Sequence, residues 1–150
     1  MYLRRMSFGI VFVLAGCGGR HHEPAAKVGD IDIIEPFVME PIRPDVTAGY
    51  LTIQNHGDSA DALVDATTPV AEAATLHGTP GGGGGMRHLS QFEVPARGKA
   101  SLAPGGTHLM LTDVHRKLAP GDTVPITLRF QHAGSVTVPF VVRTYESVGR

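Results

Sequence analysis

His77, Met86, His108 and Met110 place two imidazoles and two thioethers in one window of a 150-residue chain, with no cysteine nearby. Neutral nitrogen combined with soft sulfur suits a soft ion such as Cu(I). Hard ions such as Mg²⁺ and Ca²⁺ call for oxygen ligands instead. His108 and Met110 are two residues apart, so on a strand they share one face and can clamp one ion. Alone, such a tripeptide says little, because methionine usually fills apolar gaps. Three features add weight. Once an N-terminal leader is removed, only Met39, Met86 and Met110 remain, and two of these fall in this window. The turn Pro104-Gly105-Gly106 fixes the start of a strand over 107–112, which places His108 near a sheet edge. Met86 closes a glycine-rich loop that begins at His77, so both can fold back to one end of the sheet.

Other chemistries lack their parts. The glycine run 81–85 could cradle an anion through backbone N–H groups, but the lysine and hydroxyl residue of a phosphate-binding loop are missing. There is no Gly-x-Ser-x-Gly elbow and no His-Glu-x-x-His pair, so enzymatic activity is not expected. Cys17 is the only cysteine, which excludes an intramolecular disulfide and a Cys₂His₂ zinc site. A His₂Cys blue-copper centre is not expected either, because Cys17 reads as a lipidated residue and lies far from the histidines in sequence. His88, two residues after Met86, could substitute as a ligand. His21 and His22 could catch Cu(II) loosely but read better as part of a solvated tether, and His56 and His132 in turns and His115 in a loop read as solvated too.

The segments that must position these donors begin after the leader. Arg4 and Arg5 precede an apolar run over 6–15 that is too short to cross a bilayer comfortably. It ends in Leu14-Ala15-Gly16-Cys17, which reads as a lipoprotein cleavage site with Cys17 as the lipidated residue. Residues 1–16 are then the signal peptide, 17–29 a lipid-anchored tether, and 30–150 the folded domain. Processing leaves eleven basic against fourteen acidic residues, a formal charge of −3. With no basic stripe, nucleic acid is not an expected partner.

Runs of β-type residues alternate with turn signals along the domain. Strands are expected over 31–38, 48–55, 62–66, 71–77, 91–94, 99–102, 107–112, 123–130 and 135–142. The run 71–77 is ambiguous, since Ala-Glu-Ala-Ala-Thr-Leu could be helical. In 48–55, Tyr50, Thr52 and Gln54 point one way, Leu51 and Ile53 the other. Short strands at this spacing, with no convincing helix, predict an all-β antiparallel sandwich of Greek-key type.

The pattern H-x₈-M-x₂₁-H-x-M, with Phe92-Glu93-Val94-Pro95 and Leu102-Ala103-Pro104-Gly105-Gly106 between, resembles the periplasmic copper chaperones called PCuAC. Gly49-Tyr50-Leu51-Thr52-Ile53-Gln54-Asn55 is similar to that family's early strand, and Leu118-Ala119-Pro120-Gly121-Asp122-Thr123-Val124 to the lead into its final hairpin. The resemblance implies a cupredoxin-like sandwich binding one Cu(I) through His77, Met86, His108 and Met110. It also implies copper carriage in the bacterial periplasm and delivery to the Cu(A) subunit of cytochrome c oxidase, alongside thioredoxin-like copper assembly proteins; the cleavage site at Cys17 adds a lipid anchor to the membrane. Thioethers and imidazoles suit an oxidising compartment, where thiolates are lost to disulfides. The loop between His77 and Met86 is shorter than the family's usual one and holds five consecutive glycines. Glycine loses most freedom on ordering, so a mobile loop and a weakened site are expected. His88 stands where the family usually has proline. The alternatives are a structural or interaction β-sandwich lipoprotein that binds no metal, and a Cu(II) or Zn(II) buffer using histidines alone.

Overall fold

The computed structural model describes residues 23–79 and 84–149. The signal peptide, the lipidation residue Cys17, His21 and His22, and residues 80–83 of the glycine loop lie outside the described residues. So does the expectation of a mobile loop, save at Gly84 and Gly85.

In chain order the elements are β1 (Ala26–Val28), β2 (Ile31–Met39), β3 (Val46–Asn55), β4 (Asp61–Thr67), β5 (Ala71–Gly78), β6 (Arg87–His88), β7 (Phe92–Val94), β8 (Lys99–Leu102), β9 (His108–Val114), β10 (Thr123–Phe130), β11 (Gly134–Arg143) and the short helix α1 (Tyr145–Val148). The expected all-β architecture forms. Seven strands close into a barrel-like ring in the order β2, β11, β10, β4, β5, β9, β3 and back to β2. β1 shares one edge of β2 with β11, and β8 shares one edge of β3 with β9. All named pairings are antiparallel except β11 with β2. That parallel contact closes the ring and is the one departure from a wholly antiparallel sandwich.

The expected bounds of 99–102 and 123–130 match β8 and β10 residue for residue. The ambiguous run 71–77 is a strand: its backbone groups pair with β9 over most of its length, and Ala71, Ala74 and Leu76 are buried. Pairing and burial decide the state where local preference is even-handed. Residues 26–28, read from sequence as tether, instead pair with β2. The two-residue strand β6 and helix α1 were not expected.

Alternation builds the core. Leu51 and Ile53 of β3 point inward, as do Leu109 and Leu111 of β9 and Ile126 and Leu128 of β10, each nearly or wholly excluded from solvent. β2 carries one extra residue. Its register with β3 slips between Ile34 and Phe37, with Glu35 at φ 48° and Pro36 inside the bulge. Pro36 has no N–H to offer a ladder, so a bulge is where a strand tolerates it. The slip changes the phase of burial. Ile31 and Ile33 are buried before it, Pro36 and Val38 after it, and Phe37 is turned outward opposite Tyr50.

Candidate metal centre

The outer face of β5 and β9 carries the expected donors. Each strand is held by leucines that alternate with them: Leu76 precedes His77, while Leu109 and Leu111 flank Met110. These leucines are buried in the core, so the intervening side chains are forced outward. In register His77 stands directly opposite His108, and Thr75 opposite Met110. The His77 and His108 rings lie nearly parallel with centroids 6.1 Å apart. Met110 sits on the same face as His108 and diagonally across from His77, a separation that long side chains bridge. Three of the four donors named from sequence are therefore brought together by strand pairing alone.

Met86 is placed differently. It precedes β6 instead of lying within a strand, and 49% of its surface is exposed. No ladder fixes where its thioether points. Met39, the remaining methionine of the domain, is buried at the end of β2, where it lines a surface pocket with Tyr50 and Tyr145.

Two further groups stand beside the donors: His88, named from sequence as a possible substitute ligand, and Tyr50, which sequence reasoning did not assign to the site. His88 on β6 pairs in register with His77, and their rings meet edge to face at 6.0 Å. On the other side, Tyr50 lies 6.2 Å from the His108 ring and 5.2 Å from Phe37, over which the Arg143 guanidinium sits at 4.7 Å. A row of rings thus crosses β6, β5, β9, β3 and β2. The outward parity of Tyr50 was legible in its strand, but its neighbour on β9 depends on a pairing that sequence does not show.

Hydrogen bonds orient the imidazoles. His108 Nδ1 is 3.1 Å from the Gly106 carbonyl. A carbonyl only accepts, so Nδ1 carries the proton and Nε2 is left with a free lone pair, the arrangement typical of a ligating histidine. His77 Nε2 contacts the Thr75 hydroxyl at 3.1 Å, which can donate or accept. Burial, and then the nearby His108 and His88, hold the His77 pKa below its ordinary value. Both effects favour the neutral ring, the form that binds metal. Among the described residues, no group of three or more His, Cys, Asp or Glu is already gathered to hold an ion. A thioether or a ring rotation is needed to complete any site here. The donor set that fits without either carboxylate or thiolate is imidazole plus thioether, which is the chemistry of Cu(I).

The other described histidines have local roles. His56 Nε2 lies 3.1 Å from Asp32, His115 stands beside Glu72, and the His132 backbone N–H donates to Asp61.

A family model described as "Putative lipoprotein LpqE-like" matches residues 31–142. "Putative lipoprotein Lxx21020" of Leifsonia xyli subsp. xyli (strain CTCB07) is 31% identical over 143 residues, covering 91% of this chain and 86% of that protein. Among solved structures, the Cu(I) form of DR1885 from Deinococcus radiodurans is 33% identical with a TM-score of 0.64, over 84% of each chain. The apo PCuAC domain from PmoF1 is 26% identical with a TM-score of 0.71, over 79% of this chain and 98% of that one.

Proposed function

The chain belongs to the LpqE-like lipoprotein family, and from that premise we propose that it is a copper carrier, binding one Cu(I) through His77, His108, Met110 and Met86. The observation that carries this reading is the register of β5 against β9, which sets His77 opposite His108 with Met110 on the same outer face. The solved relative with the higher identity is a Cu(I) protein, in keeping with the donor chemistry.

The cargo is a monovalent ion held by neutral side chains, so binding neutralises no charge and consumes no thiol. Nε2 of His108 offers a lone pair without losing its Gly106 hydrogen bond. The patch lies on the outside of the ring, so an acceptor can approach it and exchange ligands one at a time. The acceptors this role calls for are envelope cuproproteins, with the Cu(A) subunit of cytochrome c oxidase as the leading candidate and thioredoxin-like assembly proteins as co-workers. Anchoring through Cys17 would keep the carrier at the periplasmic membrane surface. No helix among the described residues is long and apolar enough to cross a membrane.

Titration of Cu(I) against a competing chelator tests the site. One equivalent should bind to the wild type, and the Met86→Ala/His108→Ala double variant should compete poorly. Equal competition by both proteins would remove the assignment. The exposure of Met86 favours a rival, a β-sandwich lipoprotein that binds no metal, and failure of the wild type to take up Cu(I), Cu(II) or Zn(II) would support it.

A further inference from the structure

We infer that His88 is a third imidazole donor of this patch, and that it equips the site to hold Cu(II) as well as Cu(I). The inference rests on the copper reading above and extends it to the second oxidation state. Each ion is taken up as supplied, so no electron transfer is involved.

The case begins with how β6 is anchored. The Leu89 backbone N–H donates to the Leu76 carbonyl at 2.8 Å, and the Leu89 side chain packs against the core. Gly78 makes this approach possible. A Cβ there would meet the Thr107 hydroxyl at 2.6 Å and Leu89 Cδ1 at 2.8 Å, closer than side chains pack. His88 therefore has a fixed backbone position opposite His77, whereas Met86 has none. Among the donors contributed after the glycine loop, the imidazole is better placed than the thioether.

The three rings are not already gathered around an ion, but they stand within reach of one. Ring centroids are 6.0 Å apart for His77 and His88 and 6.1 Å for His77 and His108. Imidazoles bound at about 2 Å to one first-row ion have centroids roughly 4.5 Å apart in cis and roughly 6.4 Å apart in trans, a range that includes both separations. His88 is exposed, so it can turn about χ1 and χ2 towards His77 without moving its strand. Cu(II) favours nitrogen in a tetragonal arrangement, while thioethers favour Cu(I). Two overlapping donor sets then share His77 and His108: one completed by methionine, the other by His88.

The test uses the full chain carrying His21→Ala and His22→Ala, so that tether imidazoles do not compete. Cu(II) alone is titrated and followed by electron paramagnetic resonance, and Cu(I) separately by chelator competition. His88→Ala should weaken Cu(II) binding at least tenfold and remove one nitrogen from the superhyperfine pattern. Its Cu(I) competition should change less than threefold. Unchanged Cu(II) affinity and spectrum in the variant would make His88 a surface residue and overturn the inference. Equal losses for both ions would overturn the division of labour between the two donor sets. If the wild type takes up Cu(II) through His88 but not Cu(I), the Cu(I)-carrier reading falls while this assignment stands. If it takes up Cu(I) but not Cu(II), the reverse holds, and uptake of neither ion overturns both.

Discussion

Two places in the molecule gather polar groups from distant stretches of chain, and they treat them in opposite ways. Around Asp61, at the start of β4, every carboxylate oxygen is occupied. Oδ1 accepts from the N–H groups of Ala62 at 2.7 Å and His132 at 3.0 Å, and Oδ2 from that of Ala133 at 2.9 Å. Around His77 and His108, by contrast, each ring is held by one nitrogen, His108 Nδ1 at the Gly106 carbonyl and His77 Nε2 at the Thr75 hydroxyl, and the second nitrogen of each ring is left over. Saturated acceptors tie the turn between β10 and β11 to β4. Unsaturated donors on an outer face are available for a ligand. The difference separates polar residues that hold the fold from polar residues that wait for a partner.

The sharpest way to break this contrast is to remove the donors. The His77→Ala/His108→Ala variant should lose at least about 1,000-fold in Cu(I) affinity, roughly 4 kcal/mol, with little change in thermal stability. A large drop in melting temperature would show that the pair is structural after all. The buried neighbour of the same strand should behave in the reverse sense. Leu109 is fully excluded from solvent, so Leu109→Ala should lower unfolding free energy by about 3 kcal/mol through lost burial and a cavity, as denaturant titration would read.

Asp61→Ala leaves two loop N–H groups without their charged acceptor and should be destabilising by about 2 kcal/mol, with Cu(I) uptake unchanged. The same residue predicts a pH dependence. Burial by itself raises the Asp61 pKa, but the N–H groups of His132, Ala62 and Ala133 outweigh it and hold the carboxyl below its ordinary 3.8. A group with a depressed folded pKa stabilises fully above the unfolded value and loses that contribution as pH falls towards the folded one. The stability gap between wild type and Asp61→Asn should therefore be constant near neutrality and narrow below about pH 4. A gap that widens with acid would reverse the assignment. The smallest effect belongs to Met86→Leu. With its backbone outside any ladder, Met86 should contribute less than tenfold to Cu(I) affinity, about 1.4 kcal/mol at most.

Much of this was legible in the chain. The leucine–donor alternation of His108-Leu109-Met110-Leu111 dictates its facing once a strand is assumed, and the β10–β11 hairpin follows from two β-rich runs around His132-Ala133-Gly134. What escaped reading depends on tertiary pairing. β6 is two residues long and shows no periodicity, so the alignment of His88 with His77 is invisible until the path across the glycine loop is known. β1 looks like a polar tether because its partner, β2, supplies its pattern of hydrogen bonds. The parallel contact of β11 with β2 begins just beyond the bulge at Glu35 and Pro36, and a proline inside a run reads locally as an end, not as a change of phase.

His77, His108 and Met110 stand on the outer skin of a ring whose backbone ladders run beneath them. Under the carrier reading, loading and emptying would leave this face of the molecule unaltered, since rotation of those three side chains suffices there. A delivery partner could not tell a full courier from a spent one by the relief of this face; it would have to touch the row of rings itself, making the place of exchange also the place of inspection.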